Sequence, residues 1–109
     1  MAWVYLMLAI ASEIIATLSL RGLSQGLRAD LVTVVVVGYA LSFVLMVPAL
    51  KHINVGVSYA IWSAVGTAAI AVLGVIFFHE HLNLIAITGL VLIVLGVVLV
   101  TASGSATHG

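Results

Sequence analysis

Four stretches of about 20 apolar residues each, at 3–20, 31–50, 55–78 and 84–101, leave this chain few ways to fold. At 1.5 Å per residue, each is long enough to cross a ~30 Å hydrocarbon core as a helix. In lipid, every backbone N–H and C=O must be satisfied within the protein, so a spanning segment is a helix or part of a closed barrel. Barrel strands alternate apolar and polar residues, whereas these stretches are continuously apolar. The sequence therefore predicts an all-α membrane protein, with four transmembrane helices forming a single domain over residues 1–109.

Composition agrees and excludes several activities. Hydrophobic residues make up 65% of the 109 and charged residues 6%, where a soluble domain carries about 25% charged residues. Three Lys+Arg and a net charge of zero do not suit nucleic acid, which needs clustered basic residues. The absence of cysteine rules out disulfides, thiolate metal sites and thiol nucleophiles. A cleavable signal peptide would begin with a basic region. Nothing basic precedes the first span, so that span is expected to be retained.

The breaks are short. Residues 21–30 hold Arg21 and Arg28, residues 51–54 hold Lys51, and the third break holds His79, Glu80 and His81. Short breaks make successive helices antiparallel neighbours. Two basic residues then lie on one side against one on the other, a weak orienting bias under the positive-inside rule. This is either an accident or permission to insert both ways. The tail, 102–109, is small and polar and is expected to fray.

Glu13 is the one charged residue within the four spans. It lies roughly 15 Å along the first helix, about halfway through the hydrocarbon. A charge there costs about 2.5–3.5 kcal/mol on insertion scales, and such residues serve transport, proton relay or ion pairing. Ala9, Ala16 and Thr17 share its helical face, with Ser12 adjacent. Small side chains there suit either a ligand cavity or a close helix contact.

On the third span Gly56, Tyr59, Trp62, Ser63 and Gly66 fall on one face. Aromatic faces can stack on an organic cation, although tight bundle packing is the commoner use of such a stripe. An anion together with aromatic surface is what a lipophilic cation needs. Tyr39, Ser42, Phe43 and Met46 form a weaker stripe on the second span, and Trp3 and Tyr5 read as interfacial aromatics. Gly89, Leu92 and Gly96 form a small-residue association face on the fourth. His79 and His81 stand two apart, unlike the i, i+4 pair of a helical zinc site, so no metal site is expected. No phosphate loop, nucleophile elbow or pair of intramembrane carboxylates appears, so neither an enzyme nor a cofactor is expected. Four helices make a thin wall around any chamber, which makes a dimer the cheapest transporting unit.

These residues resemble the small multidrug resistance transporters of the bacterial plasma membrane. The likeness runs nearly end to end: four spans, the lone Glu13, the run Gly56, Val57, Ser58, Tyr59, Ala60, Ile61, Trp62, Ser63, then Gly66 and the Gly89 to Gly96 face. The resemblance implies an antiparallel, dual-topology homodimer whose two Glu13 carboxyls bind substrate or protons. It also implies that Tyr59 and Trp62 line the site, with Tyr39, Ser42, Ser63, Trp3, Tyr5 and Thr17 as further wall residues. Gly66 would fall at a kink in the third helix, and Gly89, Leu92 and Gly96 at the dimer contact. Asn54 and Ala64 depart from the family's usual Pro and Gly, and Arg21 stands where many members have Lys. Ala16 stands where guanidinium exporters resemble one another in having Trp, which favours the quaternary-ammonium subtype.

The expected activity is proton-coupled export of lipophilic organic cations, protons and cations competing for Glu13. Guanidinium or polyamine export, and a heterodimer with a paralogue, are the alternatives within the family. A non-transporting membrane subunit would need a basic residue from a foreign helix to neutralise Glu13.

Overall fold

The computed structural model describes residues 1–104 and is built from four helices: α1 (Ala2–Leu23), α2 (Ala29–Ala49), α3 (Val55–Phe78) and α4 (Leu84–Ala102). Each is long and apolar enough to cross a membrane, so the all-α, four-span expectation is met. Most of the expected frayed tail, at 105–109, lies outside the described residues; Ala102 closes α4.

The helix ends follow local chemistry. α1 runs past the apolar stretch through Arg21 to Leu23, because a cation in the last turn is favourable at the negative end of the helix dipole. The Ser24 hydroxyl then donates to the Arg21 carbonyl at 2.6 Å. α2 opens with Asp30 in its first turn, bonded by Arg28 at 2.8 Å. Pro48 is tolerated close to the end of α2, immediately before its last residue. α3 stops at His79, which takes left-handed backbone angles at φ 55°. Asn83 caps α4 by accepting from the Ala86 N–H at 2.8 Å.

α1 is the central helix. It packs along α2 on one side and against α3 on the other, while α4 packs on α3. The α1–α2 pairing is antiparallel, with Thr17 beside Tyr39 and Ala9 beside Ser42. The expectation that every pair of successive helices are close neighbours needs correction: α2 and α3 meet mainly through side chains, Trp62 with Ser42 and Phe43. Ile53, in the second break, explains this. It is fully buried among Leu6, Ile10, Ala49 and Val57, so the connection wraps the N-terminal end of α1 and sets α3 against it.

The molecule measures 47 × 35 × 16 Å. Its thin dimension is little more than one helix diameter, about 10–12 Å.

Candidate functional site

Glu13 sits on the central helix, between the two helices packed against it, α2 and α3. Thr17, one turn on, donates to its Oε1 at 2.9 Å. The same Thr17 Oγ1 lies 2.6 Å from the Tyr39 hydroxyl, which makes a chain from α2 through Thr17 to the carboxyl group. With its single proton given to Glu13, Thr17 accepts from Tyr39.

The other carboxyl oxygen faces α3. A Cβ on Gly66 would stand 2.7 Å from Oε2, so a hydrogen at position 66 is what lets the carboxyl group lie there. Oε2 is buried and has no hydrogen-bond partner among the described residues. The salt bridges among the described residues join Arg21 to Glu80 and Arg28 to Asp30, leaving Glu13 without a basic partner. Glu13, Thr17, Gly66, Thr67 and Glu80 line one crevice of about 380 Å³ between α1 and α3.

A second group lies one turn earlier on α1. Ser42 is fully buried; its hydroxyl donates to the Ala9 carbonyl at 2.7 Å and accepts from the Trp62 indole N–H at 2.9 Å. The i→i−4 ladder makes that carbonyl the acceptor for the Glu13 N–H as well. Phe43 and Tyr59 flank Trp62, each with ring centroids at 5.6 Å. Trp62 is thereby tied to the backbone turn that carries Glu13.

Other residues singled out from the sequence stand elsewhere in the single chain. Tyr59 is 60% exposed, and Trp3 is also exposed. Tyr5 packs on the apolar core around Leu6. Ser63 lines a groove toward Leu92 and Gly96 of α4, on a different face from Glu13. Gly89 and Gly96 have open space where a Cβ would be, and no α4 residue is buried among the described residues. α3 continues without interruption through Gly66. Ala16 is fully buried at the contact with α2 and does not line the crevice.

Two glycines escaped the sequence reading. A Cβ on Gly38 would stand 2.8 Å from the Ala16 Cβ and 3.2 Å from the Ser12 carbonyl, so Gly38 sets the spacing of α1 and α2. A Cβ on Gly74 would collide with Glu80 Oε1. A single Gly at the end of a valine run was the available signal for Gly38, since close backbone approach is the usual reason for such a residue in a membrane helix.

Four helices long and apolar enough to span a membrane, with a buried carboxyl oxygen that has no hydrogen-bond partner among the described residues, define a multi-pass membrane protein with an intramembrane acidic group. The profile of the Small Multidrug Resistance protein family matches residues 1–93. The chain is 42% identical over 97 residues to the nicotine metabolites export pump subunit NepA of Paenarthrobacter nicotinovorans, covering 88% of this chain and 83% of that one. It is 40% identical over 102 residues to the multidrug resistance protein EbrA of Bacillus licheniformis, covering 93% and 96%. To the multidrug resistance protein mmr of Mycobacterium bovis it is 35% identical over 106 residues, covering 96% and 99%. The chain belongs to the small multidrug resistance family, whose members are efflux transporters working as dimers in the bacterial plasma membrane.

Proposed function

We propose that this chain is a proton-coupled antiporter that exports lipophilic, quaternary-ammonium-type cations as an antiparallel homodimer. The observation that carries the proposal is Glu13: one oxygen is held by Thr17, and the other is buried, without a hydrogen-bond partner among the described residues, and packed against Gly66, where a Cβ would collide with it. A carboxylate so placed gains most from a counter-ion that can arrive and leave. A quaternary cation donates no hydrogen bond, so Coulomb attraction and aromatic contact carry its binding. The exposed Tyr59 beside Trp62 supplies that aromatic surface to a partner's Glu13 across the dimer. Gly89, Leu92 and Gly96 on the uncovered α4 form the helix contact that holds the dimer together.

Proton and cation exclude one another at this group. The hydroxyl chain accommodates both occupants: with a cation bound, Tyr39 donates to Thr17 and Thr17 to Glu13. With a proton on Oε1, the donor sense reverses along the same contacts. Acidification therefore raises the apparent KM for cation, and an inward proton gradient drives the cation out. In liposomes loaded with a quaternary ammonium compound, Glu13→Gln is expected to abolish gradient-driven flux while the protein still inserts and dimerises. Flux that keeps its dependence on the pH gradient in that variant would end the proposal.

A second reading is favoured by the name of one relative, a pump subunit: this chain acts as one half of a heterodimer. Purified alone, it would then transport nothing, and activity would return on adding the paralogous chain.

A further inference from the structure

The third break, a short polar connection by sequence, does something specific in the fold. His79 turns the chain in the left-handed region, and the Glu80 N–H returns to the Gly74 carbonyl at 3.2 Å. This folds Glu80 back onto α3, where Gly74 lacks the Cβ its carboxyl group would strike. Arg21 of α1 approaches the other oxygen, Nε to Oε2 at 3.9 Å, and its guanidinium lies 5.2 Å from the Phe78 ring centroid.

The arrangement repeats that of Glu13. Glu13 and Arg21 are eight residues apart on one stripe of α1, and Gly66 and Gly74 are eight apart on α3, an offset of about 12 Å in each case. Each glycine accommodates a glutamate, Gly66 that of α1 and Gly74 that of the third break. Glu80 also lines the crevice that contains Glu13, where the Glu13 Oε2 stands unpartnered. The Arg21–Glu80 pair is half exposed and long, and pairs of that kind open readily. A solvated connection would need neither the glycine notch nor the return of the chain.

We propose that Glu80 is an outer cation-binding carboxylate of this crevice, and that Arg21 is its resident counter-ion, replaced by an incoming organic cation on the way to Glu13. The proposal rests on the reading of Glu13 as the inner site. Its ligand class is the same organic cation, held first at the membrane border and then passed inward along Thr17 and Ile70.

The test uses the full-length chain in liposomes and methyltriphenylphosphonium as the probe, with initial rates measured against probe concentration at low and high salt. Glu80→Gln should raise KM about 5–10-fold, with the maximal rate kept within about twofold, because a lost charge at a site mouth acts mainly on capture. The difference should shrink at about 0.5 M salt, where surface charge is screened. Arg21→Gln should shift KM the other way, since it removes the competitor. An unchanged KM in Glu80→Gln, or a rise in both variants, overturns the proposal; a rise in both is what a purely structural ion pair gives. Should Glu80→Gln fail to assemble, the sign of the Arg21→Gln shift alone decides. Glu13→Gln separates the two readings. Coupled flux surviving in it removes the inner site, whereas loss there beside a neutral Glu80→Gln removes the outer site alone.

Discussion

At the scale of single residues, Gly66 and Glu13 form one unit. Glycine weakens a helix by about 1 kcal/mol relative to alanine, so α3 would gain from Gly66→Ala if nothing opposed it. What opposes it is Glu13 Oε2, 2.7 Å from where the new methyl group would sit. The carboxyl group ends a flexible side chain and is the partner that moves, taking the Thr17 contact with it. Gly66→Ala should therefore leave thermal stability in detergent unchanged or slightly higher, while cation affinity falls by about tenfold, the equivalent of roughly 1.4 kcal/mol. Isothermal titration alongside a melting curve checks both halves. A fall in stability with affinity retained would assign Gly66 to packing alone.

At the scale of elements, the α1–α2 contact shows what was legible in the sequence and what was not. The spans were legible because continuous apolarity over about 20 residues has one solution in lipid. Their neighbours were not, because helices that are apolar all round carry no stripe to say which face packs. Only the folded chain pairs Gly38 with Ala16, and only there does Ser42 tie Ala9 to Trp62. The aromatic stripe was legible as a pattern, but its residues diverge: Trp62 turns to Ser42 while Ser63 faces α4. Gly38→Val tests the contact. Its Cβ alone would meet the Ala16 Cβ and the Ser12 carbonyl, a methyl group and a piece of backbone that cannot rotate away. Overpacking of this kind costs about 1–3 kcal/mol. The variant should unfold at correspondingly lower denaturant, and separating the helices should also part Thr17 from Tyr39. Unchanged stability by tryptophan fluorescence would mean that α2 can shift freely along α1.

At the scale of the whole molecule, a slab 16 Å thick, with an uncovered α4 and an exposed Tyr59, gains both a chamber wall and a covered face from a second copy. The orientation of that copy is a question of charge. Arg21 and Arg28 lie on one side and Lys51 on the other, a difference of a single basic residue, and the Lys/Arg bias of short loops sets insertion direction. An antiparallel homodimer needs both insertions from one sequence, so a near-balanced count is the condition for it. Replacing His52 and Asn54 with Lys would place three basic residues on the second-break side against two and reverse the bias. Replacing Arg21 and Arg28 with Gln, with Lys51 kept, should fix that same orientation. Either change alone should cut homodimer transport several-fold. Co-expression with a chain biased the opposite way, through Lys51→Gln, should restore it, because each population then supplies the orientation the other lacks. Reporter fusions at the C-terminus read the orientation, and gradient-driven export reads the activity. Full transport by a chain locked in one orientation would mean that the working dimer is parallel, with both Glu13 carboxyls approached from the same side.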